Sequence, residues 1–227
     1  MHLTPDHIVL WQSGWLHLNA TIAYTWGVML LLVLVSWLVT RRLADAGQAR
    51  SRWQNMLEVI VQAIRGQIRE ICPEGGDTYL PFAGTLFLYI AVSNVLEIVP
   101  GWHAPTGSLS TTAALAISVG VAVPVFGIER QGLVEYLRHY LKPTFIMLPF
   151  HLMSETTRNL ALAVRLFGNI MSGTMIVGVL LAIAPLFAPV LMQLLGLLVG
   201  LIQAYIFAIL AMVYIAAAVQ RRQEGVH

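Results

Sequence analysis

Arg165 is the residue around which any chemistry of this chain has to be built. It lies in an almost unbroken apolar stretch from Pro143 to Gln220 whose only charged residues are Glu155, Arg158 and Arg165. A charged side chain near the middle of a membrane costs at least about 2.5–3.5 kcal/mol, so the guanidinium needs protein, water or a counter-charge beside it. On a helix, Ala161, Gly168 and Ser172 share its face and Asn169 lies one turn on. The cation therefore rises from a stripe of small residues along which a second backbone could approach closely and meet a permanent positive charge. Glu155, three turns back on roughly the same face, offers an internal ion pair as the structural alternative. Glu155 and Arg158, three residues apart, are better placed to pair with each other. The final apolar run repeats the theme with Gly196, Gly200, Ala204, Ala208 and Ala211, a pattern that helix packing alone explains, and adds Gln203, which it does not. If the chain turns near Ala184 and Pro185, residues equidistant from the turn face one another, and Arg165 meets Gln203. The amide could then orient the guanidinium without neutralising it; a bond from Gln203 to some other helix is the alternative.

The elements that position these residues must be membrane helices. Of the 227 residues 58% are hydrophobic and only 11% charged, a balance that excludes disorder and an ordinary soluble enzyme domain. The only lysine sits in Tyr140-Leu141-Lys142-Pro143, which rules out a lysine-bearing phosphate loop, and no basic stripe suited to nucleic acid is present. Cys72 is the sole cysteine, so an intrachain disulfide and multi-cysteine metal sites are excluded, and no cofactor is expected. Runs of about 20 apolar residues predict spans at 21–40, 81–100 and 108–127. The remaining region is too long for upright spans: a helix over 143–184 would reach about 60 Å, roughly twice the hydrocarbon thickness. The sequence predicts a break or kink near Pro149 and a hairpin of two long inclined helices, 143–184 and 185–220, turned at Pro185 and Pro189. Between the first two spans, Trp53, Met56, Ile60, Ile64, Ile68 and Ile71 recur at three- and four-residue steps, the pattern of a helix over 52–71 lying in the interface plane.

The fold class is thus an all-α membrane protein with about five transmembrane helices plus an in-plane amphipathic helix, organised as one membrane domain over 1–227. Arginines and the lysine gather at 41–69, 130–142 and 221–222 and are missing from 1–20, 101–107 and 185–189. The positive-inside rule then places the N-terminus outside, with 1–20 an outer segment, and the C-terminus in the cytoplasm. No basic start precedes the first span, so it reads as an uncleaved helix.

Ser154-Glu155, Arg165-Leu166-Phe167-Gly168-Asn169, Gln203-Ala204-Tyr205-Ile206-Phe207 and Val213-Tyr214 together resemble the a-subunit of rotary F-type ATP synthases. Upstream, Asn94-Val95-Leu96-Glu97-Ile98-Val99-Pro100 is similar to that family's N-x-x-[acid]-x-x-P helix ending, and the run from Pro105 to Thr112 extends the likeness. The resemblance implies a tilted hairpin against a ring of c-subunits, with Arg165 facing the ring carboxylates and Gln203 as its partner. It also implies a non-catalytic role in a bacterial inner membrane, with peripheral-stalk b subunits and other synthase subunits as partners and ATP chemistry elsewhere. Glu97 matches an acid near the inner half of the family's ion path, yet it stands at the outer end of its span, so its half-channel is unassigned. Two departures matter. Thr174 stands nine residues after the arginine and Gly196 seven before the glutamine, where many members carry titratable groups. The path is then expected to run over Ser172, Thr174, Gln193, Asn169 and Glu155. The Met-Ser-Gly-Thr run at 171–174 is similar to the N-type branch, in which sodium coupling occurs as well as proton coupling.

Two other function classes compete. His151, Ser154, Glu155 and Ser172 could furnish a hydrolase, but there is neither a G-x-S-x-G elbow nor an H-E-x-x-H pair. A stand-alone secondary ion transporter would be expected to show matching inverted repeats, and no half of this chain matches the other. The other histidines, His103 among them, fall in predicted loops and ends and read as solvated or interfacial. The six tryptophans read as interface anchors.

Overall fold

The computed structural model describes residues 9–13, 16–40, 52–72, 76–99, 102–133, 147–184 and 187–220. The expected helix start at 143–146, the charges Glu135, Arg138 and Lys142, and the terminal Arg221 and Arg222 lie outside the described residues.

Among the described residues six α-helices carry the fold, in the order α1 (Ala20–Thr40), α2 (Arg52–Ile71), α3 (Leu80–Leu96), α4 (Leu109–Gln131), α5 (Met147–Ile183) and α6 (Ala188–Gln220). Ahead of them the sequence predicted no element, and the structure has a small antiparallel hairpin of β1 (Val9–Ser13) on β2 (Leu16–Asn19), with Ser13 opposite Leu16 and an irregularity between Val9 and Trp11. Among the described residues α1, α4, α5 and α6 are long and apolar enough to cross a membrane. The fifth expected span, α3, is shorter than its predicted 81–100. It begins with Pro81 in its first turn, where a missing N–H costs nothing, and stops at Leu96. Pro100 explains the early stop, because a proline disfavours helical backbone at the residue before it. Seventeen residues still reach about 26 Å, the lower end of what spans hydrocarbon. The next helix, α4, starts on a Ser108 cap, whose Oγ accepts from the Ser110 N–H at 3.3 Å, and ends on Gly132 at φ 81°.

The predicted hairpin is present with bounds close to those read from sequence. At 37 and 33 residues, α5 and α6 reach about 55 and 50 Å, too long to stand upright in a bilayer. No break occurs at Pro149, which falls in the first described turn of α5, where proline is tolerated. The core forms around α6, whose Ala204, Phe207, Ala208, Ala211, Met212, Ile215 and Ala216 are buried against α3, α4 and α5. Small residues are what allow this. Asn94 of α3 donates from Nδ2 to the Gly200 carbonyl at 2.8 Å, and a Cβ on Gly200 would meet that amide at 2.8 Å and its Cγ at 3.0 Å. Gly200→Ala is therefore expected to destabilise the α3–α6 junction by about 1–3 kcal/mol, read as a lower unfolding temperature of the purified complex.

The amphipathic helix α2 matches its predicted limits, 52–71. It buries Ile64 and Ile68 and keeps Arg65 and Arg69 exposed, and Tyr205 of α6 donates to Gln67 Oε1 at 2.8 Å. Arg65 grips Asp77 through two hydrogen bonds of 2.8 and 2.7 Å, and Arg69 adds a third at 3.3 Å. The Arg65 hydrogen bonds hold the Asp77 carboxyl well below the usual carboxylate range. A depressed folded pKa stabilises above the unfolded value and loses that stabilisation as pH falls. The tie of α2 to the turn before α3 should thus be constant above about pH 5 and weaken below about 3.9, measurable as faster amide exchange in α2.

Candidate functional site

The site is built on α5. Arg165 is exposed on an open side of the helix and, among the described residues, has no hydrogen-bond or ion-pair partner. Its small neighbours Ala161, Gly168 and Ser172 are exposed too, and a Cβ added at Gly168 would meet nothing within 4 Å. Leu160 and Val164 beside them are 61% and 52% exposed, so no described residue covers the stripe. The internal pair with Glu155 is absent: ten residues of helix separate the two by about 15 Å. Arg158 places its guanidinium 5.6 Å from the centre of the Tyr214 ring, a cation–π arrangement between α5 and α6.

Gln203 does not take the place read from the hairpin register. It is buried, 7% exposed, its Nε2 has no partner, and the hydrogen bond expected to Arg165 is absent among the described residues. Equal register sets the height of two residues on facing helices and leaves open which way each side chain turns. Arg165 turns to the open side, whereas Gln203 turns into the packed interior beside the buried Ala204.

Among the described residues, cavities with polar groups in their walls lie on opposite sides of Arg165 along α5. The larger, about 360 Å³, is enclosed by α3, α5, α6 and the connection after α3, and has room for roughly a dozen waters. Asn94, Glu97, Asn169, Thr174 and Gln193 give it polar walls. Glu97 is the only charged residue among its lining, and Thr174 Oγ1 lies 3.3 Å from Glu97 Oε1 while also donating to the Ile170 carbonyl at 2.9 Å. One hydroxyl proton is shared between two acceptors there. The smaller cavity, about 60 Å³, lies between α4, α5 and α6 and is lined by His151, Ser154, Glu155, Arg158, Asn159 and Tyr214. It has room for about two waters.

The predicted ion-path residues therefore separate into two groups. Asn169, Thr174, Gln193 and Glu97 share the large cavity, and Glu155 lines the small one. Ser172 lines neither; its exposed hydroxyl donates to the Asn169 carbonyl at 3.0 Å. Glu97, unassigned in the sequence, stands with Thr174 and Gly196, the two positions that lack a titratable group. Sequence reasoning missed Trp102 and His103 as wall residues. Trp102 packs on Tyr24 at a centroid distance of 4.8 Å, and its Nε1 and the His103 Nδ1 are sealed without a partner. No periodicity marks a residue in an irregular connection, which is why neither stood out.

Known proteins are similar to this chain in sequence. The family described as ATP synthase A chain matches residues 22–216. ATP synthase subunit a 2 of Acaryochloris marina is 61% identical over 99% of this chain and 96% of its own length. Subunit a 1 of Chlorobaculum parvum is 60% identical over 99% of both chains, and ATP synthase subunit a of Albidiferax ferrireducens 58% identical over 98% and 96%. With that identity sustained over nearly the whole length of each relative, the chain belongs to the ATP synthase A chain family.

Proposed function

We propose that this subunit is the ion-conducting stator of a rotary ATP synthase, passing H⁺ or Na⁺ through two offset half-channels to and from the carboxylates of a c-subunit ring. One observation carries the reading. Among the described residues the Arg165 guanidinium has no partner and its stripe of small residues is uncovered, with one cavity above it and one below, opening between different helices. The stripe suits a partner helix passing at close range. A ring carboxylate arriving from lipid is neutral because it carries its ion. Beside Arg165 the anionic form is favoured, so the ion leaves into one cavity, and the site reloads from the other. Arg keeps its charge under all relevant conditions and so bars ions from crossing directly between the cavities.

The arginine distribution supports an N-terminus outside and a cytoplasmic C-terminus in a bacterial inner membrane, which makes the Glu97 cavity the outer half-channel and the Glu155 cavity the inner one. Peripheral-stalk b subunits and the remaining synthase subunits complete the assembly, and ATP is handled by those other subunits. Cross-linking tests the docking. With buried Cys72 replaced, Gly168→Cys should form a disulfide with a cysteine placed next to the ring carboxylate. Failure to cross-link in an assembled, active complex would contradict the proposed face.

A further inference from the structure

The larger cavity holds an ionisable side chain that the reading above leaves unused. His103 sits in the connection from α3 to α4, at residues 102–104, which forms one wall of the cavity. That connection is fixed: Ala104 is buried, Trp102 rests on Tyr24 of α1, and the Tyr24 ring lies 6.4 Å from the His103 ring. Of the two imidazole nitrogens only Nδ1 is sealed and unpartnered, which leaves Nε2 as the one that water can reach. An imidazole has two ring nitrogens, one able to accept a proton while the other donates one, which is what a relay requires.

The groups facing it are few. Among the described residues Glu97, at the end of α3, and Tyr24 on α1 are the titratable ones, while α5 and α6 present only the neutral Asn169, Thr174 and Gln193. The charged residues of α4, Glu129 and Arg130, stand at its far end. Among the described residues His103 and Glu97 make no ion pair, so a proton passing between them would have to travel through water in the cavity. A cavity of about 360 Å³ with a carboxylate and an imidazole among its lining has room for a water path with two proton stations.

We propose that His103 is the outer proton relay of this subunit. Its imidazole accepts a proton from outer water, passes one through the cavity water to the Glu97 carboxylate and returns to neutral; the protonated Glu97 then supplies the ring. The inference rests on the stator reading and deepens it, naming the proton as the coupling ion and His103 as its first carrier.

The test uses the complete complex in liposomes with the outer face toward the lumen, measuring ATP synthesis at constant driving force while lumenal pH and Na⁺ are varied. His103→Gln should lower the rate on the order of a hundredfold when lumenal protons are scarce. It should also flatten the lumenal pH profile. His103→Ala should be rescued by lumenal imidazole, and Gly196→His should restore His103→Gln, because a side chain at 196 lines the same cavity and meets nothing within 4 Å. An anchor-only role would show neither rescue. His103→Gln with the parent's rate and pH profile overturns the relay, provided Arg165→Ala abolishes synthesis; synthesis surviving Arg165→Ala would overturn the stator reading instead. The parent complex decides the matter if a variant fails to assemble: full rate without lumenal Na⁺ supports the relay, and dependence on Na⁺ overturns it.

Discussion

Arg165→Ala abolishes ATP-driven ion pumping and ion-driven ATP synthesis in proteoliposomes that hold the assembled complex: this is the largest effect the structure predicts. A unit charge about 4 Å from a carboxylate, at an effective dielectric near 20, is worth about 4 kcal/mol, or about three pK units. On the proposed mechanism a ring carboxylate should, without it, give up its ion about a thousandfold less readily where release is needed. Because the guanidinium also stands between the Glu97 and Glu155 cavities, its removal should let ions leak passively across the membrane part of the complex. Arg165→Lys should recover little, since an ammonium loses its proton more easily when desolvated and cannot hold a carboxylate with a planar fork. Passive leak and pumping are read from the same vesicles, so loss of assembly is distinguishable from loss of the barrier.

The second large effect belongs to Glu97. It is the only charged residue lining the larger cavity, so Glu97→Gln should lower transport by on the order of a hundredfold. The amide has the same shape and keeps an oxygen to accept from Thr174 Oγ1, now 3.3 Å from the carboxylate, so packing between α3 and α5 is preserved. Glu97→Asp keeps a carboxylate on a shorter arm and should retain a measurable part of the rate. A Gln variant as active as the parent, in a complex of normal composition, would remove Glu97 from the path.

Much of this arrangement can be read from the chain because the bilayer leaves few options. The apolar run after Pro143 exceeds any upright span, and α5 and α6 emerge as the long hairpin. The alternation of Ile64 and Ile68 with Arg65 and Arg69 defines α2 to its limits. Arg165 announces itself because a lone charge in such a run is costly. What escapes the sequence is what depends on the rotation of helices and the path of connections. The Arg165–Gln203 pairing follows from height alone and is absent, since Gln203 faces inward. The grouping of Glu97 and His103, which sit at an irregular connection, with Thr174 far along the chain on α5 follows no local pattern. The end of α3 at Leu96 is set by a proline four positions later, and a window of hydropathy overruns it.

A density map of the assembled complex, trapped with a ring carboxylate at the a-subunit, measures the central claim most directly through the distance from the Arg165 guanidinium to that carboxylate. The account predicts separation by hydrogen-bond length or one bridging water, with no acidic side chain of the subunit itself on Arg165. A guanidinium bonded to Glu155, with the ring turned to some other face of α5, would contradict it.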